Sequence, residues 1–366
     1  MKRVLLAGYY GMCNTGDDAL LAVSAWGARR VYGDVALHAT ASRIPSFPGS
    51  DRVQPVYPES QRFPGEARIR FLLSAALSQG VVFGGGSVFH DRANLRQKMQ
   101  AVRLAGPGPN IAVGVSLGPF RSVRAERATA HLLEMLDFTG LRDKESADIA
   151  RAIAPSARCT LTFDLAALLP AMAPTAPAEH RNPRTLGVAV CDYERFTGGD
   201  QSREAIRRRK LTAVLSKLDP SAVEEIVFVD FNGHPVYGDG PLHRELANAV
   251  PRGIRVRQTP YCSDPLAVLR LVGGMGALLA MRLHASIFAY VTCTPCVTLA
   301  YHPKCIGWAR QIEAPSASVY DSAEFDPTEV SDTIYAALAG RLNSPGIPIP
   351  EAQRRALVNF PPLDTG

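Results

Sequence analysis

Short apolar, β-branched runs that alternate with longer amphipathic stretches constrain this chain more than any other feature. In the first half the strand candidates are residues 3–7, 35–39, 81–83, 111–115, 138–141 and 159–161, and helical periodicity fills most of the gaps. Strands joined by helices must run parallel, because a parallel pair needs a crossover long enough to hold a helix. A segment containing Pro174, Pro177 and Pro183 then breaks the rhythm. Prolines at this density remove donors and fix φ, which marks a boundary. The alternation resumes with strand candidates at 185–190, 225–229, 254–257, 277–281 and 296–299. At 366 residues the chain exceeds the length that one core usually serves. The expected fold is therefore α/β, with two Rossmann-like domains whose parallel sheets face one another across a cleft. The expected divisions are 1–175, a linker at 176–184, a second domain at 185–345, and a proline-rich tail at 346–366 that cannot be one long helix and is expected to pack back on the first domain.

A hydrophobic content of 46% with 20% charged residues suits a folded, non-fibrous protein. No stretch is long enough to span a bilayer, and the opening MKRVLLAGYYG has too short an apolar run for a secretory leader. A cytoplasmic location is expected, with the inner face of the membrane as an option. Seven scattered cysteines read as reduced core thiols rather than a disulfide framework. The net charge of +6 fits anionic partners: phosphorylated metabolites, lipid-linked sugar headgroups or an anionic membrane surface. Nucleic acid is not expected, because the basic residues are dispersed and no basic and aromatic interleaving marks a stacking groove. The densest cluster, Arg207 to Lys210, lies in SREAIRRRKLTAVLSKL and reads as the solvated face of an amphipathic helix in preference to a peripheral membrane contact.

Four segments carry candidate chemistry. In LLAMRLHASIFAY, Arg282 and His284 stand where a buried strand gives way to a helix, the junction at which open α/β sheets bind ligands. A cation suited to phosphate or carboxylate thus sits two residues from a proton donor; the plain alternative, a core histidine bonded to a carbonyl, leaves Arg282 needing its own buried partner. GYYGMCNTGDDALL follows the first strand, with Asn14 or Thr15 able to cap a helix whose first turn holds Asp17 and Asp18. Its glycine spacing is not GxGxxG, and no acidic residue ends the second strand to hold a ribose. Two carboxylates would repel a pyrophosphate, so the loop suits a hydroxyl-rich ligand; a cap with a turn is the alternative. In VVFGGGSVFHD, Gly84, Gly85 and Gly86 could expose consecutive N–H groups or simply turn the chain. In TGLRDKESADIA, Arg142 ends a strand and points a fork into a crevice or pairs with Asp143 or Glu145. Cys293, Cys296, His302 and Cys305 allow a zinc reading, but small buried thiols explain the first two more simply. Asp230, Asn232 and His234 either line the same cleft or form a surface turn.

Together, GYYGMCNTGDDALL, FGGGSVFHD, LRDKES and MRLHASIFA with PCVTLAYHPK resemble the polysaccharide pyruvyl transferase family, over Gly8 to Trp308. This chain has Asp18 where a Glu is expected, and cysteines at 293 and 296 where small apolar residues are expected. The resemblance implies a GT-B-like fold and transfer of the pyruvyl group of phosphoenolpyruvate to a sugar as a cyclic ketal, with release of phosphate. It implies phosphoenolpyruvate contacts from Arg142, Arg282 and the backbone at Leu283, and His284 as the acid that protonates the enol carbon. Asn14, Asp17, Asp18, Gly85, Gly86 and Asp91 fall on the acceptor side, the N-terminal domain. No cofactor and no metal are expected. The expected partners are phosphoenolpyruvate and a sugar acceptor, lipid-linked, polymeric or free, with room for peripheral membrane contact. The rival readings are a GT-B glycosyltransferase using a nucleotide sugar and a non-catalytic sugar-binding subunit. A retaining enzyme of the first kind would show a close pair of glutamates in its second domain, and none follows Arg282.

Overall fold

The computed structural model describes residues 2–89, 92–172 and 181–362. Two compact units divide it: Met1–Met12, Asp17–Ala173 and Pro350–Gly366 form the N-terminal unit, and Cys13–Gly16 with Pro174–Ile349 form the C-terminal unit. The expected linker lies mostly at 173–180, outside the described residues, and the first strand of the second sheet has already begun at Asn182. No helix among the described residues is long and apolar enough to cross a membrane.

In the N-terminal unit the order is β1 (Arg3–Ala7), α1 (Thr15–Tyr32), β2 (Ala36–Ala39), β3 (Val53–Pro55), α2 (Glu66–Ala76), β4 (Gly80–Phe89), α3 (Arg92–Leu104), β5 (Ile111–Leu117), α4 (Val123–Met135), β6 (Phe138–Leu141), α5 (Lys144–Ile153), β7 (Cys159–Leu161) and α6 (Leu169–Met172). The C-terminal unit runs β8 (Asn182–Ala189), α7 (Glu194–Thr197), α8 (Gln201–Ser216), β9 (Glu225–Val229), α9 (Gly240–Ala247), β10 (Arg255–Thr259), α10 (Pro265–Gly273), β11 (Met275–Ala280), α11 (Leu283–Val291), β12 (Cys296–Ala300), α12 (Pro303–Gln311), β13 (Val319–Asp321) and α13 (Pro327–Leu338), before α14 (Ile349–Leu357). Each unit holds one parallel sheet, ordered β3-β2-β1-β4-β5-β6-β7 and β10-β9-β8-β11-β12-β13. In both, the strand order reverses beside the first strand, which opens a crevice at the carboxyl ends of β1 and β4 and of β8 and β11. The two structural cores are the apolar residues on either side of these sheets, and β5 and β11 are buried along their whole length.

The sequence expectations hold for the central strands and fall short at the margins. The edge strands β3 and β13 were not expected: each has three residues, too few to show a period, and most of their side chains are exposed or half-buried. β4 runs on through Gly84 and Gly85 to Phe89, so the glycines lie inside the strand instead of turning the chain beyond it. Their need is steric. A Cβ at Gly84 would collide with the Tyr10 hydroxyl and Ser24 Oγ, and one at Gly85, where φ is 59°, would stand 2.7 Å from Leu20. Glycine lets α1 lie directly on β4.

The basic cluster on α8 is a correction. Arg207 is only 2% exposed, donates to both Glu194 oxygens at 2.5 and 2.9 Å, and adds Ser322 Oγ at 3.1 Å. Arg208 pairs with Asp192 and Glu245. Half of the presumed solvated face is thus a set of ion pairs, invisible in sequence because the carboxylates come from other elements. The cysteines are also corrected in part: Cys191 and Cys305 are buried, whereas Cys13 and Cys293 are exposed.

The tail returns to the N-terminal unit. Phe360 meets Trp26 edge-on at 6.3 Å, and Gly27 lacks the Cβ that would collide with its ring. Asn359, fully buried, accepts from Gly114 N at 2.7 Å and Thr162 Oγ1 at 3.0 Å, and donates to Phe163 O and Ala356 O. Asn359→Ala is expected to destabilise this unit by about 1–3 kcal/mol for the stranded Gly114 N–H alone. Urea unfolding followed by Trp26 fluorescence in a Trp308→Phe background checks it; an unchanged midpoint would mean that the tail is not a fixed part of the unit.

Candidate functional site

The carboxyl end of the C-terminal sheet brings a guanidinium and a carboxylate together beside apolar strands. At the crevice between β8 and β11, the Met281 and Arg282 N–H groups both reach Ala189 O, at 2.9 and 3.2 Å. This fixes Arg282 at the strand-order reversal, in extended backbone, as the residue before α11. Its guanidinium turns to Asp239, donating through Nε at 3.1 and 3.2 Å and through Nη2. Asp239 is 1% exposed, and its Oδ2 also accepts from Phe231 N and Asn232 N at 3.0 and 2.9 Å. Burial alone would lower the Arg282 pKa; the adjacent Asp239 carboxylate outweighs it and holds the pKa above the usual value. Arg282 therefore stays charged, with Nε and Nη2 engaged by Asp239.

Asp239 was not among the sequence candidates. It lies 43 residues from Arg282, in a stretch, VYGD, that reads as a turn. The signal available was the requirement that a buried arginine have an acidic partner. Leu283 is the first residue of α11, and no side chain caps that helix. Its N–H, with no acceptor inside the helix, adds a donor beside the guanidinium.

His284 sits one residue further on, half-buried. Its ring lies against the backbone of Gly16, where any Cβ would collide with Nδ1. Gly16 is held in turn by Asn14, whose Oδ1 accepts from Gly16 N at 3.0 Å. The Cys13–Gly16 segment is bound to the loop after β9: Asn14 bridges to Asn232 in antiparallel fashion, Thr15 N donates to Phe231 O at 2.9 Å, and Gly233 N donates to Cys13 O at 2.8 Å. Of the three residues expected in that loop, Asn232 takes part in this bridge. Asp230 instead meets His243 Nδ1 at 2.5 Å, while His243 Nε2 faces the Val190 backbone. His234 is exposed and accepts from Val236 N and Tyr237 N in a surface turn. Burial pushes the nearby Cys191 thiol up to about 12, which keeps it protonated and unreactive.

In the N-terminal unit, Arg142 directly follows β6 and is 6% exposed. Nη1 donates to the fully buried Asp164 at 3.1 Å, while Asp143 stands 3.8 Å from Nε. The surface-pair alternative thus gives way to a buried pair with a residue 22 positions away. Asp17 and Asp18 occupy the first turn of α1, where the helix dipole favours carboxylates; Asp18 is buried. Gly85 and Gly86 lie against Leu20. Asp91 lies outside the described residues. Cys293 precedes β12 and Cys296 opens it, whereas His302 and Cys305 follow its far end, so the four possible zinc ligands do not converge. At the amino end of β12, a cavity of about 240 Å³ is bounded by α11, α12 and residues 342–349. No charged side chain lines it, which makes it unsuited to an anion. The carboxyl end of the sheet instead brings a fixed guanidinium, a helix N–H and a histidine to one place, a set able to hold an anion and deliver a proton.

Known structures share this architecture. UDP-GlcNAc 2-epimerase from Methanocaldococcus jannaschii aligns with a TM-score of 0.60 at 12% identity, over 97% of this chain and 98% of its own. The Rickettsia bellii UDP-N-acetylglucosamine 2-epimerase gives 0.58 at 11%, over 98% and 94%. The lipopolysaccharide outer core galactosyltransferase WaaB in its apo form gives 0.51 at 11%, over 98% of each chain. At such identities the likeness shows a shared GT-B-type fold and no more. No curated protein sequence matches the chain. The family described as polysaccharide pyruvyl transferase matches residues 14–303, from the Asn14 segment through the first residue of α12.

Asp239→Asn is expected to destabilise the C-terminal unit by up to about 3 kcal/mol, because it leaves the half-buried Arg282 without its carboxylate. Pairing it with Arg282→Met should recover much of the loss. Urea midpoints read from Trp308 fluorescence in a Trp26→Phe background check this, and additive losses in the double variant would contradict the pairing.

Proposed function

Because this chain belongs to the polysaccharide pyruvyl transferase family, a family of transferases, we propose that it moves the pyruvyl group of phosphoenolpyruvate onto two hydroxyls of a sugar, forming a cyclic ketal and releasing phosphate. The observation that carries this reading is the fixed Arg282 beside Leu283 N–H and His284, all at the strand-order reversal of the C-terminal sheet. Phosphoenolpyruvate has a phosphate and a carboxylate, and the reacting carbons lie between them. A guanidinium held by Asp239 can bind one anion without rearranging, and the N–H at the start of α11 adds a second donor.

In the proposed reaction His284 donates a proton to the methylene carbon of the enol, which leaves C2 as an oxocarbenium-like electrophile. A sugar hydroxyl attacks C2 and gives up its proton. The bond between C2 and the bridging oxygen then breaks, phosphate departs with that oxygen, and the neighbouring hydroxyl closes the ring. The two hydroxyl protons balance the proton delivered to carbon and the one leaving on phosphate. We assign orientation of the acceptor to a carboxylate of the first turn of α1, Asp17 or Asp18, whose place directly after Gly16 in the chain supports it. Arg142 is proposed as a further donor contact on the strength of its fork geometry.

His284→Ala is expected to lower kcat for phosphate release from phosphoenolpyruvate by roughly 10²- to 10⁴-fold with the fold intact, the usual worth of a positioned acid. Gly16→Ala displaces the same ring and should cost up to about 10²-fold, with KM for phosphoenolpyruvate changed much less. Phosphate release across a panel of glycosides, with mass spectrometry for the pyruvyl adduct, provides the readout. Normal turnover in folded His284→Ala would remove the assignment. Release of a nucleoside diphosphate from a nucleotide sugar, with no phosphate from phosphoenolpyruvate, would hand the site to glycosyl transfer.

A further inference from the structure

α2 presents to solvent a face that a folded protein normally covers. Ile69, Leu73 and Leu77 recur every fourth residue along this helix and its C-cap, and are 50%, 57% and 63% exposed. Phe63, just before the helix, is 48% exposed. The opposite face is anchored by Phe71 and Ala75 in the N-terminal core. Scattered single apolar residues on a surface need no explanation, but a stripe at helical spacing does.

The stripe is rimmed by positive charge. Arg68 and Arg70 flank Ile69, Arg62 precedes Phe63, and Arg3 lines the same surface hollow as Arg70, Leu73 and Leu77. The one carboxylate of α2, Glu66, is buried and occupied: it accepts from Arg62 N at 2.6 Å and Arg70 Nε at 2.8 Å. Arg68 reaches only Gln100 in α3, at 3.4 Å, and neither Arg3 nor Arg62 forms an ion pair among the described residues. No acidic side chain lines the hollow. Arg3, Arg62 and Arg68 thus have no carboxylate within ion-pair distance among the described residues, while Glu66 is already matched by Arg70.

We propose that the exposed face of α2 docks on an anionic lipid surface, with Ile69, Leu73, Leu77 and Phe63 entering the headgroup and acyl boundary and Arg3, Arg62 and Arg68 meeting lipid phosphates. An apolar stripe bordered by arginines is the arrangement by which helices lie in such an interface. A protein partner would bring its own carboxylates to particular arginines. Exposed arginines beside an apolar stripe, with no acidic side chain in the hollow, instead suit a surface whose negative charge is diffuse. This role stands apart from the basic cluster of α8, whose leading arginines are held by Glu194, Asp192 and Glu245.

Sedimentation of the full chain with vesicles tests the proposal, using phosphatidylcholine alone and phosphatidylcholine mixed with phosphatidylglycerol. Binding is expected to the mixed vesicles, to weaken with salt, and to be slight on phosphatidylcholine. Leu73→Glu with Leu77→Glu, both on the exposed face, should reduce partitioning by about tenfold or more. Arg62→Gln with Arg68→Gln should reduce it by about fivefold for each arginine. Circular dichroism confirms that each variant is folded. Absence of binding to anionic vesicles would overturn the proposal, as would binding that folded variants leave unchanged. So would light scattering showing a dimer that Leu73→Glu dissociates, which would assign the face to a second copy of the chain.

Discussion

A guanidinium largely withdrawn from water has to be matched, and the match between Arg282 and Asp239 organises the C-terminal unit around its strand ends. Burial works against the charge on Arg282, and the Asp239 carboxylate more than restores it. Asp239 takes a further step by accepting two backbone N–H groups, which fixes the loop after β9. That loop receives Cys13–Gly16 through the Asn14 bridge and two backbone bonds, and Gly16 supplies the smooth wall on which His284 lies. Arg282 and His284 are thus positioned by one connected set of contacts. A buried pair of this kind contributes little net stability. Its value is in holding a charged fork rigid, which lowers the reorganisation that binding an anion would otherwise need.

The two sheets share a strand order but put different side chains at their carboxyl ends. In the N-terminal unit, Tyr10 lies over β4, donates to Gly84 O at 3.0 Å and is kept neutral by burial. The glycines of β4 then admit α1 at close range, with Leu20, Ser24 and Tyr10 in the space they free. Arg142 and Asp164 form that unit's own buried pair, and Asp164 additionally caps the following turn through Ala166 N at 2.9 Å. In the C-terminal unit the equivalent crevice is charged and carries the helix N-terminus. One architecture therefore carries different side chains at the carboxyl ends of its two sheets, the difference resting on a few residues at each strand terminus.

The central strands were legible because burial on both faces writes a continuous apolar run, as in MGALLA of β11. β3 and β13 were not, since three half-exposed residues carry no pattern. Arg282 and His284 were legible as polar intrusions into such a run. Their supports were not: Asp239, the Asp230–His243 pair and the seat at Gly16 all depend on contacts between distant segments. Gly84 and Gly85 show the converse. Their sequence suggests an anion nest, but the space they free is taken by Leu20, Ser24 and Tyr10. Arg207 likewise reads as surface charge until Glu194 and Ser322 enclose it. Local periodicity encodes elements, while pairing across elements encodes the site.

Turnover in deuterium oxide tests the chemistry most directly, with phosphoenolpyruvate carrying ¹⁸O in its bridging oxygen and the ketal and phosphate analysed by mass spectrometry. Protonation of the enol carbon followed by cleavage at C2 places deuterium in the ketal methyl group and all of the bridging ¹⁸O in the phosphate. A pyruvyl product whose methyl carries no deuterium, or whose ¹⁸O remains on the sugar side, would contradict His284 as the donor of a proton to carbon and the site as one built for pyruvyl transfer.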